Sequence, residues 1–219
     1  MSLFSLPLML NAQSVDEMLQ KVSAAIEAGQ QGQAMSYFRQ TISLNIDRTE
    51  MYYWTNIDKS SEISVKLANE LAIAFRKKRN YDKAYLFYKE LLQKAPNNVA
   101  YLESCAEMQV CRGQEKDALR MYEKILQLEA DNLAANIFLG NYYYLMAEQE
   151  KKKLETDYKK LPSPTKMQYA RYRDGLSKLF ATGYEKARNS LQKVVLRFPS
   201  TEAQKTLDKI FIIEKEVKR

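Results

Sequence analysis

Residues 65–98 read VKLANELAIAFRKKRNYDKAYLFYKELLQKAPNN, and residues 99–132 read VAYLESCAEMQVCRGQEKDALRMYEKILQLEADN. Laid over each other, these stretches agree where a packed helix pair needs agreement. Leu71 and Ala72 recur as Cys105 and Ala106, Ala84 and Tyr88 as Ala118 and Tyr122, and Pro96-Asn97-Asn98 as Ala130-Asp131-Asn132. A fixed period of 34 residues marks a stacked array in which each unit covers its neighbour's apolar side. Small residues at positions 8 and 20 let two helices approach, and large ones such as Leu71, Phe75, Tyr88 and Leu91 fill the space around them. Pro96 stops the second helix, and Gly113 sits in a turn where glycine carries little steric cost.

The period extends outward with decreasing fidelity. Leu139, Gly140 and Tyr143 occupy positions 7, 8 and 11 of a third unit, while Ala34 and Phe38 take positions 20 and 24 of a degenerate one over 15–48, with Gly29 in its turn. Between them, residues 49–64 read as a linker in which Met51-Tyr52-Tyr53-Trp54 lengthens the preceding helix, and Ser61 or Ser64 caps the next. Residues 133–160 read as one elongated helix ended by Pro162-Ser163-Pro164. Tyr184, Ala187, Leu191, Val194 and Pro199 reproduce positions 17 to 32, so 166–199 reads as a helix pair with a break near Thr182-Gly183. Residues 201–218 read as a helix covering the end.

These spacings resemble the tetratricopeptide repeat family, closely over Val65–Asn132 and less so elsewhere. The resemblance implies an all-α fold, a right-handed α-α superhelix of about four helix pairs with a C-terminal capping helix. It also implies a concave face lined by positions 2, 5, 6, 9, 12 and 13 of each unit. Of the residues so placed, Lys66, Asn69, Ile73 and Arg76 come from the first clear unit, Glu103, Glu107 and Val110 from the second, and Ile137, Phe138, Asn141 and Tyr144 from the third. The groove would change from basic to acidic to apolar, suiting a peptide with an acidic stretch and an apolar anchor. Family members that clamp a C-terminal carboxylate carry Lys at position 5 and Asn at position 9. Here Asn69 and Ile73 stand there, so tight binding of chaperone-type acidic C-termini is not expected.

Composition narrows the functional classes. The 219 residues include only 6 Gly and 5 Pro, which favours helices over sheet. Histidine is absent, removing the usual general base, the Ser-His and Cys-His pairs and the commonest metal ligand. Cys105 and Cys111 lie about 9 Å apart along one helix, too far for an intrahelical disulfide. No phosphate loop, zinc spacing or paired-carboxylate motif occurs. The expectation is therefore no enzyme, no cofactor and no metal. The net charge of +7 reads as a solvated Lys-rich helical surface. Arg76-Lys77-Lys78-Arg79 reads as a solvated turn rather than a nucleic-acid or lipid patch, and Lys151-Lys152-Lys153 and Lys159-Lys160 alternate with acids as on an exposed helix.

Residues 1–14 are uncharged and largely apolar, like the core and cleavage region of a secretory leader without its basic start. They are too few to span a bilayer. The expectation is an exported, periplasmic or envelope-associated protein, or a cytoplasmic one if the segment is an apolar strap on the first helix pair. The functional expectation is a protein-interaction scaffold that binds a protein or peptide, without nucleic acid or stable membrane insertion. Its oligomeric state is left open, a monomer included. The alternatives are a self-associating structural or regulatory subunit and a nucleic-acid-binding accessory protein using the basic turn.

Overall fold

The structure, a computed structural model, describes residues 6–218, with side chains described from Val15. Of the leader expected over residues 1–14, residues 1–5 lie outside the described residues, and 6–14 are described as backbone only. Every described element is helical, and the chain divides into two units, residues 1–118 and 119–219.

The first unit holds α1 (Leu6–Glu27), α2 (Gln31–Leu44), α3 (Ile46–Asn56), α4 (Glu62–Lys77), α5 (Tyr81–Lys94), α6 (Val99–Cys111) and the start of α7 (Glu115–Leu128). Helices α1 and α2, and α4 and α5, pair across short turns, and α5 packs on α6. The alanines at position 20, Ala34, Ala84 and Ala118, have no solvent-exposed surface, as the close crossing requires. Asparagine side chains start successive helices: Asn80 accepts from the Lys83 backbone N–H and Asn98 from that of Tyr101. The turns are closed by left-handed residues, Gly29 (φ 70°), Arg79 (φ 59°) and Gly113 (φ 73°), so Arg79 holds a conformation that its repeat partner Gly113 adopts without a Cβ penalty.

The single long helix expected through Met51–Trp54 is instead two. Asn45 has extended backbone, and its side chain accepts the Arg48 N–H, ending α2 and starting α3 within one residue. This places Tyr53 fully in the core, 5.5 Å from the Phe87 ring, while Trp54 stacks on Phe87 at 5.2 Å and stays half exposed. The α3–α4 loop is stitched by lysines. Lys59 Nζ donates to the carbonyls of Tyr53 and Ile57 and lies over the Tyr53 ring, and Lys94 Nζ donates to the Lys59 carbonyl and to Ser64 Oγ. Ser61 takes the N-cap position of α4, but its hydroxyl donates back to the Asp58 carbonyl instead of capping.

The second unit contains the end of α7, α8 (Leu133–Lys159), α9 (Lys166–Leu179), a π turn (Phe180–Tyr184), α10 (Glu185–Arg197) and α11 (Thr201–Lys218). Here the structure corrects the helix pair expected within 166–199. The chain does not break at Thr182-Gly183. Leu179, Phe180, Tyr184 and Glu185 all keep right-handed helical dihedrals, so α9, the π turn and α10 form one continuous helix whose partner is α8. Gly183 serves close approach rather than a turn: a Cβ there would lie 2.8 Å from Ala147 Cβ. Gly140 does the same further down α8, where a Cβ would meet the Leu191 side chain at 2.7 Å.

The third repeat is thus complete but stretched. Positions 7, 8 and 11 come from Leu139, Gly140 and Tyr143 on α8, and positions 17 to 27 come from Tyr184 to Val194 at the far end of the returning helix. Between them the pair continues as a long hairpin, in which Gly175 meets Leu154 and Tyr158 stacks on Tyr172 at 4.6 Å. Helix α11 covers α10 with Ala203, Ile210 and Ile213, whereas Phe211 is more than half exposed. Arg173 donates to the Glu216 and Val217 carbonyls at the end of α11, satisfying acceptors that a helix C-terminus leaves open.

Replacing Gly183 by Ala should reverse the usual helix-propensity gain. We expect a loss of about 1–3 kcal/mol from overpacking against Ala147, with part of it recovered by adding Ala147→Gly. Urea unfolding of both variants checks this; a more stable Gly183→Ala protein would contradict the close crossing.

Candidate functional site

The concave-face residues expected from the repeat positions fall in both units and behave differently in each. In the first unit, the charged ones are spent on ties between helices. Arg76 on α4 pairs with Glu107 on α6 at 2.6 Å, and Lys66 Nζ donates to Gln31 Oε1 at 2.7 Å. Glu70, also a concave-face position, pairs with Arg39 of α2 at 2.7 Å. The basic-to-acidic sequence of the groove is therefore largely neutralised from within. Each such exposed pair contributes at most about 1 kcal/mol, so these residues register the repeats more than they stabilise them. Asn69, Ile73, Glu103 and Val110 are half buried on the same two helices.

In the second unit, α8 presents a different face. Ile137, Asn141 and Leu145, spaced by four, are exposed, and Leu133, one turn before Ile137, extends the apolar surface. Leu145 is 58% exposed, too much for a core residue. Phe138 lies beside this stripe and stacks on Tyr122 at 4.4 Å and Tyr142 at 5.7 Å, which fixes its ring as a half-buried floor. Tyr144, expected in the groove, lies two turns after Ile137 at the edge of this face and is half buried. Its ring meets Tyr184 at 6.1 Å against the unit's core, and burial raises its pKa above the usual phenol value. Successive helix residues project about 100° apart, so Tyr143 turns to the core while Tyr144 lies between the core and the stripe.

Three tyrosine hydroxyls donate to glutamates on neighbouring helices: Tyr53 to Glu90 at 2.6 Å, Tyr184 to Glu148 at 2.6 Å, and Tyr143 to Glu123 at 2.5 Å. Burial first, then the carboxylate partner, drives all three phenol pKa values well above the ordinary range. Among the described residues, no group of three or more His, Cys, Asp or Glu is placed to hold a metal, and no helix is long and apolar enough to cross a membrane. Cys105 is buried, and its thiol is pushed up to about 12 by burial, whereas Cys111 is exposed.

Comparison with known proteins agrees with this geometry. The tetratricopeptide repeat profile matches residues 70–98. A crystal structure from Bacteroides ovatus, provisionally described as a protein binding protein, is 90% identical, with 93% of this chain and 98% of that one covered at a TM-score of 0.84. By the match over residues 70–98 the chain is a tetratricopeptide repeat protein. Tetratricopeptide repeat proteins from Parabacteroides merdae (15% identity, 93% and 74% covered, TM-score 0.40) and Bacteroides fragilis (13% identity, 91% and 98% covered, TM-score 0.39) are more distant. No curated protein matches the chain. Repeat position finds Ile137 and Asn141 of the exposed α8 stripe but not Leu133, which stands at position 1 of the unit. The i, i+4 spacing of Leu133, Ile137, Asn141 and Leu145 is the pattern that finds it.

Two outcomes follow for solution chemistry. The buried tyrosines Tyr53 and Tyr184 stay protonated in the folded chain but ionise near pH 10 when unfolded. Their contribution is intact below pH 10 and is lost as pH rises above it, by about 1.4 kcal/mol per tyrosine per pH unit. Thermal melts from pH 8 to 11.5 should show a steep fall above pH 10 that Tyr184→Phe makes shallower; a flat profile would contradict the buried pairing. A thiol reagent should modify Cys111 in the native protein and Cys105 only after denaturation, as counted by mass spectrometry.

Proposed function

We propose that this tetratricopeptide repeat protein is a non-catalytic interaction module that binds a segment of a partner protein along α8. The observation that carries the reading is the exposed Ile137–Asn141–Leu145 stripe on a rigid helix, with the stacked Phe138 beside it. A contiguous apolar strip on a rigid scaffold suits the anchors of an amphipathic or extended segment, and Asn141 offers a polar contact within it. The faces of α4 and α6 support a second, more polar contact area through Asn69, Ile73, Glu103 and Val110. Relatives of the family act generally as interaction modules rather than enzymes, and the Bacteroides ovatus structure is provisionally described as protein binding. Export rests on the apolar sequence of residues 1–14 alone.

Self-association is the second reading, favoured by a separate observation. Leu196, Phe198, Phe211 and Ile212 are exposed around the groove between α10 and α11, a roughly 670 Å³ opening at the end of the array. A terminal repeat normally presents a polar outer face.

A photo-reactive amino acid placed at Leu145 should crosslink a partner in native extract, and the same group at Lys116 should not. Ile137→Asp with Leu145→Asp should weaken capture of that partner at least tenfold while leaving the melting temperature unchanged. Light scattering that shows a stable dimer lost in Phe211→Asp, with no crosslink from position 145, would replace this reading by the second.

A further inference from the structure

We propose that the end of the α8–α9 hairpin is a docking surface for an anionic lipid membrane. The first unit, residues 1–118, carries 14 Lys and Arg against 14 Asp and Glu, whereas residues 119–219 carry 20 against 13. The whole net charge of +7 therefore belongs to the second unit. Within it, residues 158–172 at the hairpin end contain Lys159, Lys160, Lys166 and Arg171 and no acid at all. Lys160 reaches back to Asp157 in an exposed pair, while Lys159, Lys166 and Arg171 take part in no ion pair among the described residues.

The apolar side chains at this end face outward. Met167 is 65% and Tyr169 51% exposed, and Pro162 and Pro164 are exposed in the connection between the helices. Lysines and arginine around a protruding methionine and tyrosine form the pattern of an interfacial contact. The cations meet the anionic headgroups, and the apolar side chains enter the boundary below them, where tyrosine is favoured. The end is also preformed. Tyr158 stacks on Tyr172 at 4.6 Å and approaches Tyr169 at 6.2 Å, and the Thr165–Gln168 capping box starts α9. Closer to the core, Arg173 and Lys151 bind the end of α11, so the hairpin is braced at its base. Little ordering cost opposes docking.

Other partners fit less well. Single-stranded nucleic acid needs open ring faces along a basic groove, and here Tyr158 and Tyr172 cover each other. A protein segment needs an apolar strip such as that of α8, and here Lys166 and Arg171 flank Met167 and Tyr169. The arrangement matches a surface that is itself flat, anionic and soft.

The test uses the full chain and sedimentation with vesicles of phosphatidylcholine alone or with about 30% phosphatidylglycerol. The protein should sediment with the anionic vesicles only, and about 0.5 M salt should release it. Lys159→Glu/Lys160→Glu/Arg171→Glu and, separately, Met167→Ser/Tyr169→Ser should each weaken binding at least tenfold with unchanged circular dichroism. The two variants alter different side chains, so a folding defect in one leaves the other decisive. Failure to bind anionic vesicles, equal binding of both folded variants and the parent chain, or tip-dependent retention on DNA without vesicle binding would each overturn the proposal.

Discussion

The structure depends on how closely paired helices approach at their crossings. At four successive pairs the second helix places an alanine there, Ala34, Ala84, Ala118 and Ala187, and none retains exposed surface. In the second unit the constraint tightens to glycine, because Leu191 and Ala147 occupy the space that a Cβ on Gly140 or Gly183 would need. Everything else is arranged around these contacts. Phe75, Phe87 and Leu91 in one unit, and Tyr184, Leu191 and Val194 in the other, fill the volume that the close crossings leave at their sides.

Polar groups decide register rather than association. Asparagine caps set where α3, α5, α6 and α8 begin, and tyrosine hydroxyls held by glutamates fix neighbouring helices along their axes. Charges on α4 and α6 that a concave face would offer to a partner are turned to the same end, since Arg76 and Glu107 meet each other. The apolar stripe of α8 stays exposed instead.

The long third repeat separates two roles along one pair of helices. Its base, from Leu133 to Ala147, packs as an ordinary repeat and presents the apolar stripe. Beyond the base the same helices continue as a basic hairpin, re-aimed by the π turn at Phe180–Tyr184. One extra residue per turn lets the π turn set Gly183 on Ala147 and α10 set Leu191 on Gly140, while α9 faces Leu154. The proposed partner site near the core and the proposed membrane contact at the far end lie on this one pair of helices.

Local spacing alone determined the helical class, the small-residue crossings at Ala84 and Ala118, the family, and the burial of Cys105, because each depends on neighbours within one repeat. The residues of the α8–α10 core were legible too, down to positions 17 to 27, but not their pairing. A glycine beside a threonine resembles a turn in sequence, and only the partner helix reveals that Gly183 is small to admit Ala147. The same holds for Tyr144 and Arg76. Repeat position places each on a helix, but the neighbours that turn Tyr144 inward to Tyr184 and join Arg76 to Glu107 lie outside its own turn. Side-chain direction is set by what packs against it, and tertiary structure decided it.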